Sequence, residues 1–166
     1  MDRERMVAQF AVRASVEAVE EGVWLAPKFD AEGLIPVVTT DAKSGEVLMQ
    51  GYMNAAALLR TIATREAHYY SRSRQTLWHK GATSGLVQRV QQCLIDDDQD
   101  CIWLRVTIAG SGASCHVGYR SCFYRQIPLG SMVIRPGVVI PLTFTETAKV
   151  FDPQAVYGDA PNPTRL

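Results

Sequence analysis

Strand-like pieces outnumber helical ones along this chain. Leu34 to Thr40 is a β-branched run, Lys43-Ser44-Gly45 has turn chemistry, and Glu46 to Tyr52 reads as the returning strand of a hairpin. Asn54 is suited to cap a helix over residues 55–65, where Ala, Leu and Arg favour that state. Ala67 to Arg72 reads as a strand and Lys80 to Gly85 as a polar loop. Val87 to Ile95 and Cys101 to Ala109 are two more strands, separated by an acidic segment, and Gly110-Ser111-Gly112 makes a turn. Gly118 to Arg125 gives no decisive signal.

The two ends differ from this middle. Residues 3–21 predict a helix, with Met6, Phe10, Val16 and Val19 among its apolar positions and Gly22 as its stop. Its many charges suit a surface or interface helix, and Pro27 closes the segment. In the last forty residues Pro128, Gly130, Pro136, Gly137 and Pro141 break up short β-prone pieces. Pro153, Pro161 and Pro163 predict a weakly ordered tail from Asp152 onward. The pattern gives an α+β fold: one strand-rich domain, with no internal repeat.

Composition narrows the function classes. The 166 residues are 47% hydrophobic and 20% charged, enough for one sizeable core. The 17 basic and 17 acidic side chains cancel, which argues against a general nucleic-acid binder. No stretch reaches the roughly 18 apolar residues of a membrane span, and the charged N-terminus does not resemble a secretory signal. A cytoplasmic location follows, where Cys93, Cys101, Cys115 and Cys122 are thiols or metal ligands rather than disulfides.

Three segments carry chemistry. In Asp96-Asp97-Asp98-Gln99-Asp100, four carboxylates within five residues repel one another unless a cation sits among them. If the segment is extended, Asp96, Asp98 and Asp100 share one face and Asp97 takes the other. Three carboxylates on one face suit Mg²⁺, and a solvated acidic turn is the plain alternative. An EF-hand is excluded, because Cys101 and Thr107 stand where Gly and Glu are required. Cys115, His116 and Cys122 are zinc-type ligands, although their spacing alone fits buried structural cysteines as well. Tyr70-Ser71-Arg72-Ser73-Arg74 and Trp78 to Gly85 combine cations, hydroxyls and glycines that can cradle phosphate. They lack the order of a Walker A loop, and a plain polar turn is the competing reading.

Together these segments resemble the phosphoribosyl-AMP cyclohydrolase family. The resemblance rests on Gly33-Leu34-Ile35-Pro36, Ser44 to Met49, Tyr52-Met53-Asn54, the Tyr70–Arg74 and Trp78–Gly85 blocks, the acidic triplet, Cys115 to Gly118 and Arg120 to Arg125. It spans about residues 29–125, leaving 1–28 as an N-terminal helical extension and 126–166 as a C-terminal extension and tail.

The resemblance implies an intertwined homodimer with active sites at the subunit interface. It implies hydrolytic opening of the adenine ring of 1-(5-phosphoribosyl)-AMP between N1 and C6, in histidine biosynthesis. Zn²⁺ or a substitute divalent metal would be held by Cys115, Cys122 and a third ligand, with ligands drawn from both subunits. Mg²⁺ would be held by Asp96, Asp98 and Asp100. His116 would be the general base. Arg72, Arg74, Lys80, Thr83, Ser84 and Arg120 would contact the nucleotide. The family's third zinc ligand is a cysteine where this chain has Asp97. Carboxylate is an acceptable but harder zinc ligand. Cys93 and Cys101 each lie four residues away, about 13 Å in an extended chain, too far to substitute without rearrangement. Leu86 stands where relatives often carry a polar His or Asn. Three readings stay open: an active cyclohydrolase using Asp97, a hydrolase of another purine nucleotide, and a non-catalytic nucleotide- or metal-binding paralogue.

Overall fold

The computed structural model describes residues 10–130 and 135–166. Its centre is a four-stranded sheet in the order β2-β1-β6-β5, built from β1 (Ile35–Asp41), β2 (Val47–Met53), β5 (Gln88–Ile95) and β6 (Ile102–Ile108). β1 and β2 form the expected hairpin, β5 and β6 form a second, and the two are joined by parallel pairing of β1 with β6. Alternation decides the faces. Ile35, Val37, Ile102, Leu104 and Val106 point into the core, whereas Val38, Trp103 and Arg105 point away from it.

Asn54 caps α2 (Ala55–Thr64) as predicted, its Oδ1 accepting from the Ala57 N–H at 2.8 Å. Ala57 and Leu58 bury the inner side of this helix against the sheet. The segment after it is a hairpin, β3 (His68–Ser71) with β4 (Thr76–His79). β4 has no sequence counterpart in the predicted elements, because its four residues alternate too briefly to register. The strand pair seats Tyr69 and Trp78 against the core.

Three expectations need correction. Within residues 3–21 only α1 (Val16–Glu20) is helical among the described residues; Ala11–Ser15 are irregular, and residues 1–9 lie outside the described part. The acidic segment is not extended: it is the tight turn between β5 and β6, with Gln99 at φ +59°. The tail has its own order. Asp152 caps a short α3 (Pro153–Tyr157), and ahead of the tail β7 (Arg125–Gln126) pairs with β8 (Thr143–Phe144) among the expected β-prone pieces. No helix among the described residues is long and apolar enough to cross a membrane.

Candidate functional site

Two clusters stand at opposite ends of the sheet. The first is built by the loop after β6. The Ser114 N–H donates to Arg120 O and the Cys115 N–H to Tyr119 O, so residues 114–120 close into a narrow loop. Gly118 makes its turn at φ +105°, and a Cβ there would lie 2.7 Å from Phe151 O, so this position demands glycine. The loop is then stitched to β2: the Cys122 N–H donates to Leu48 O at 2.7 Å and the Ser121 hydroxyl to Val47 O at 2.7 Å.

This folding brings the Cys115 and Cys122 sulfurs within hydrogen-bonding reach of each other. Two adjacent thiols share a proton. The Cys122 hydrogen bond is the main reason that Cys115 falls to about 6, with Val117 and Tyr119 N–H groups and the Lys80 charge helping against burial. The Cys122 thiol is held upward by the same bond and by burial. Lys80 is buried beneath the pair. Its Nζ donates to Ser114 O at 2.7 Å and lies 4.9 Å from the Trp78 ring centre. Burial lowers its pKa while the two thiols oppose the shift. Gly81 lets the chain turn immediately after it, at φ +90°, where a Cβ would meet Val87 N at 2.3 Å.

His116 follows Cys115 directly. Its Nε2 is buried without a hydrogen-bond partner among the described residues. Burial lowers its pKa, the Lys80 charge lowers it further, and a hydrogen bond to Asn162 works the other way. A neutral imidazole with one free nitrogen is equipped to take a proton. Beneath the loop runs a buried polar chain that sequence reasoning missed. Thr39 Oγ1 and Tyr69 Oη lie 2.7 Å apart, Tyr69 donates to Gln88 Oε1 at 2.7 Å, and Gln88 Nε2 donates to Ser114 Oγ at 3.2 Å. The available signal was a glutamine at an inward-facing strand position.

The second cluster is the acidic turn. Asp96, Asp97 and Asp98 each offer a carboxylate oxygen, and these atoms lie within 4.8 Å of one another. The turn therefore overrides the expected alternation: Asp97 shares the side of Asp96 and Asp98. Asp100 joins them. Its pKa is raised by lost hydration and by the Asp98 and Asp96 charges beside it. The Asp96 carboxylate also accepts from the Asp100 and Cys101 N–H groups, both at 2.9 Å. Burial raises the pKa of Cys101, and the Asp96 and Asp100 charges beside it raise it further.

The donor sets fit the expected ions. Clustered carboxylates suit a hard cation such as Mg²⁺, and a thiol pair with a free imidazole nearby suits zinc or a similar soft divalent ion. Among the described residues the acidic trio is the one group of three close ligands, and Asp97 does not join Cys115 and Cys122. The reason is distance. Gln88 touches Ser114 at the thiol end, Ile95 precedes Asp96 at the acidic end, and the eight residues of β5 between them span about 23 Å at ~3.3 Å per residue.

The other expected contact residues are spread over several elements. Arg72 stacks 4.0 Å from the Tyr52 ring centre, and Arg74 Nε donates to Ser71 Oγ. Thr83 is exposed, and Ser84 Oγ accepts from the Leu86 N–H. Arg120 is engaged by acids of the β1–β2 turn, with Glu46 at 2.7 Å and Asp41 at 3.7 Å. Leu86 is buried, its Cδ2 against Gly110.

Residues 49–124 match the family model for phosphoribosyl-AMP cyclohydrolase. A protein of that name from Rhodopseudomonas palustris (strain HaA2) is 51% identical over 92% of this chain and 99% of its own length. The chain belongs to the phosphoribosyl-AMP cyclohydrolase family. Proteins with the same name from Nitrobacter winogradskyi and Sinorhizobium fredii are 49% and 48% identical, over 86% and 85% of this chain and 94% and 89% of their own lengths. Both clusters fall inside the stretch that matches the cyclohydrolase family model. Several contacts to them come from outside it. Residues 13–28 bond to the acidic turn, and Glu146 accepts from the Arg120 and Ser121 N–H groups beside Cys122.

Proposed function

We propose that this protein hydrolyses the adenine ring of 1-(5-phosphoribosyl)-AMP between N1 and C6, in cytoplasmic histidine biosynthesis, as a homodimer whose sites are shared between copies. The observation that carries the proposal is the thiol pair beside a buried lysine and an unpartnered imidazole nitrogen, in a chain half identical to named cyclohydrolases.

Each side chain has a part that its surroundings support. Cys115 and Cys122 would hold zinc or a substitute ion, with Asp97 of a second copy as third ligand. Asp96, Asp98 and Asp100 would hold Mg²⁺. The first ion, when bound, makes water acidic enough to attack carbon near neutral pH. His116 is kept neutral by burial, and its Nε2 accepts the proton released as water adds to C6. Lys80 balances negative charge on the two sulfurs. Arg72 and Arg74, with Thr83, Ser84 and Arg120, would contact the nucleotide and neutralise its phosphates.

Two features support the dimer. The half-sites sit about 23 Å apart in one chain, and a two-fold partner packed antiparallel brings opposite ends together. The acidic-turn end of the sheet carries a shallow, mostly apolar depression lined by Val38, Leu94, Ile95, Ile102 and Trp103 together with Asp96 and Cys101, and Trp103 stays 42% exposed. The free state of all four cysteines, including the adjacent Cys115 and Cys122, supports a reducing compartment.

The test is ring opening, followed by ultraviolet absorbance, with zinc, manganese or cobalt added in turn and magnesium always present. Turnover that is lost in His116→Ala is the expected result. Absence of turnover with every ion would overturn the proposal.

A further inference from the structure

Gln99 is the one residue of the acidic turn whose side chain faces inward. It is 5% exposed, whereas Asp96 and Asp97 are exposed beside it. Its amide is fully used. Oε1 accepts from the Ala26 N–H at 2.8 Å, and Nε2 donates to Val19 O at 3.0 Å and Trp24 O at 3.3 Å. Its main-chain oxygen accepts from the Lys28 N–H at 2.7 Å. All four partners belong to the segment before β1.

A second link is independent of Gln99. The Arg13 guanidinium bridges the segment and the turn, donating to Ala26 O and, at 2.7 Å, to the main-chain oxygen of Asp98. One planar fork thus fixes the backbone of a carboxylate-bearing residue from outside the turn. Gln99 also holds φ +59°, which a non-glycine residue adopts only when its surroundings enforce it. The carboxylates repel one another, and these bonds add to those of the Asp96 carboxylate within the turn in holding them together.

We infer that residues 13–28 are a clamp that preorganises the acidic turn for its cation, with Gln99 and Arg13 as positioning residues. The inference rests on the proposed Mg²⁺ role of Asp96, Asp98 and Asp100. Neither Gln99 nor Arg13 touches the cation; both fix the backbone that presents the ligands. Outer-shell contacts of this kind commonly govern about ten-fold or more in metal affinity.

The test uses the full chain, preloaded with Co²⁺ so that the thiol pair is occupied and gives a thiolate-to-cobalt absorption band. Mn²⁺ is then titrated and the free ion counted by electron paramagnetic resonance. Asp98→Asn establishes whether the acidic turn is the Mn²⁺ site. Gln99→Met keeps the buried volume while removing the amide, and Arg13→Ala removes the bridge from the other side. Both variants are expected to weaken Mn²⁺ binding roughly ten-fold, with the cobalt band unchanged. Wild-type Mn²⁺ affinity in both would overturn the clamp and leave the acidic site standing. Loss in Gln99→Met alone would also overturn it, because Gln99 would then act within the turn and not through the segment. If Asp98→Asn binds Mn²⁺ like the wild type, the acidic site fails and the clamp fails with it.

Discussion

The Tyr69 hydroxyl donates to Gln88 Oε1 at 2.7 Å in the interior of the protein, and Gln88 passes the restraint to Ser114, the residue before Cys115. A hairpin side chain, a sheet side chain and the cysteine loop are thereby locked together with no water between them. Truncating one member leaves buried polar atoms without partners, which costs about 1–3 kcal/mol per group. Gln88→Leu strands Ser114 Oγ, whereas Tyr69 Oη keeps Thr39 as a partner, so a loss of about 1–3 kcal/mol is expected in urea unfolding. Tyr69→Phe strands both Thr39 Oγ1 and Gln88 Oε1 and should lose more, about 2–4 kcal/mol. Equal small effects from both would show that the chain of bonds carries little.

The thiol pair makes a spectroscopic prediction. Metal-free protein should gain thiolate absorbance near 240 nm with a midpoint of about 6, the value to which Cys115 falls chiefly through its Cys122 hydrogen bond. Cys122→Ala removes that donor and should move the midpoint upward. A midpoint at the ordinary thiol value of 9.0 in the unaltered protein would contradict the shared-proton arrangement.

Much of this arrangement was legible in the sequence. Strands β1, β2, β5 and β6 and the Asn54-capped helix followed from alternation and capping, because each buries one clean face. Cys115, His116 and Cys122 were legible as one cluster since a short loop joins them. The acidic segment had two readings, extended and turn, and the turn holds for a physical reason. Alternation presumes an extended chain, and a hairpin turn between β5 and β6 puts Asp97 beside Asp96 and Asp98 instead. Gln99, Gln88 and Glu146 were invisible because their partners are main-chain and side-chain atoms many residues away, and local pattern carries no record of them. The N-terminal segment had the charges of a surface helix, yet it spends Arg13 on the acidic turn and is helical only over Val16–Glu20.

His68 supplies a pH dependence. Its ring is buried, stacked 4.4 Å from His79, and its pKa is lowered from 6.5, first by burial and further by the neighbouring His79 and Arg60 charges. A depressed histidine binds fewer protons folded than unfolded. Stability is therefore fully present above pH 6.5 and declines as pH falls below it, because the unfolded chain protonates first. His68→Phe keeps an aromatic ring against His79 and cannot protonate. Its urea-unfolding free energy should fall less steeply below pH 6.5 than that of the unaltered protein. Parallel curves for the two proteins would refute the assignment.

The most direct test of the shared site uses two inactive chains. Cys122→Ala spoils the thiol end and keeps the carboxylate end; Asp97→Ala does the reverse. Random exchange makes about half the molecules mixed dimers, each with one intact site of two, so a mixture should recover about a quarter of wild-type ring opening. Inactivity of the mixture, with subunit exchange verified by native mass spectrometry, would contradict a site assembled from opposite ends of two copies.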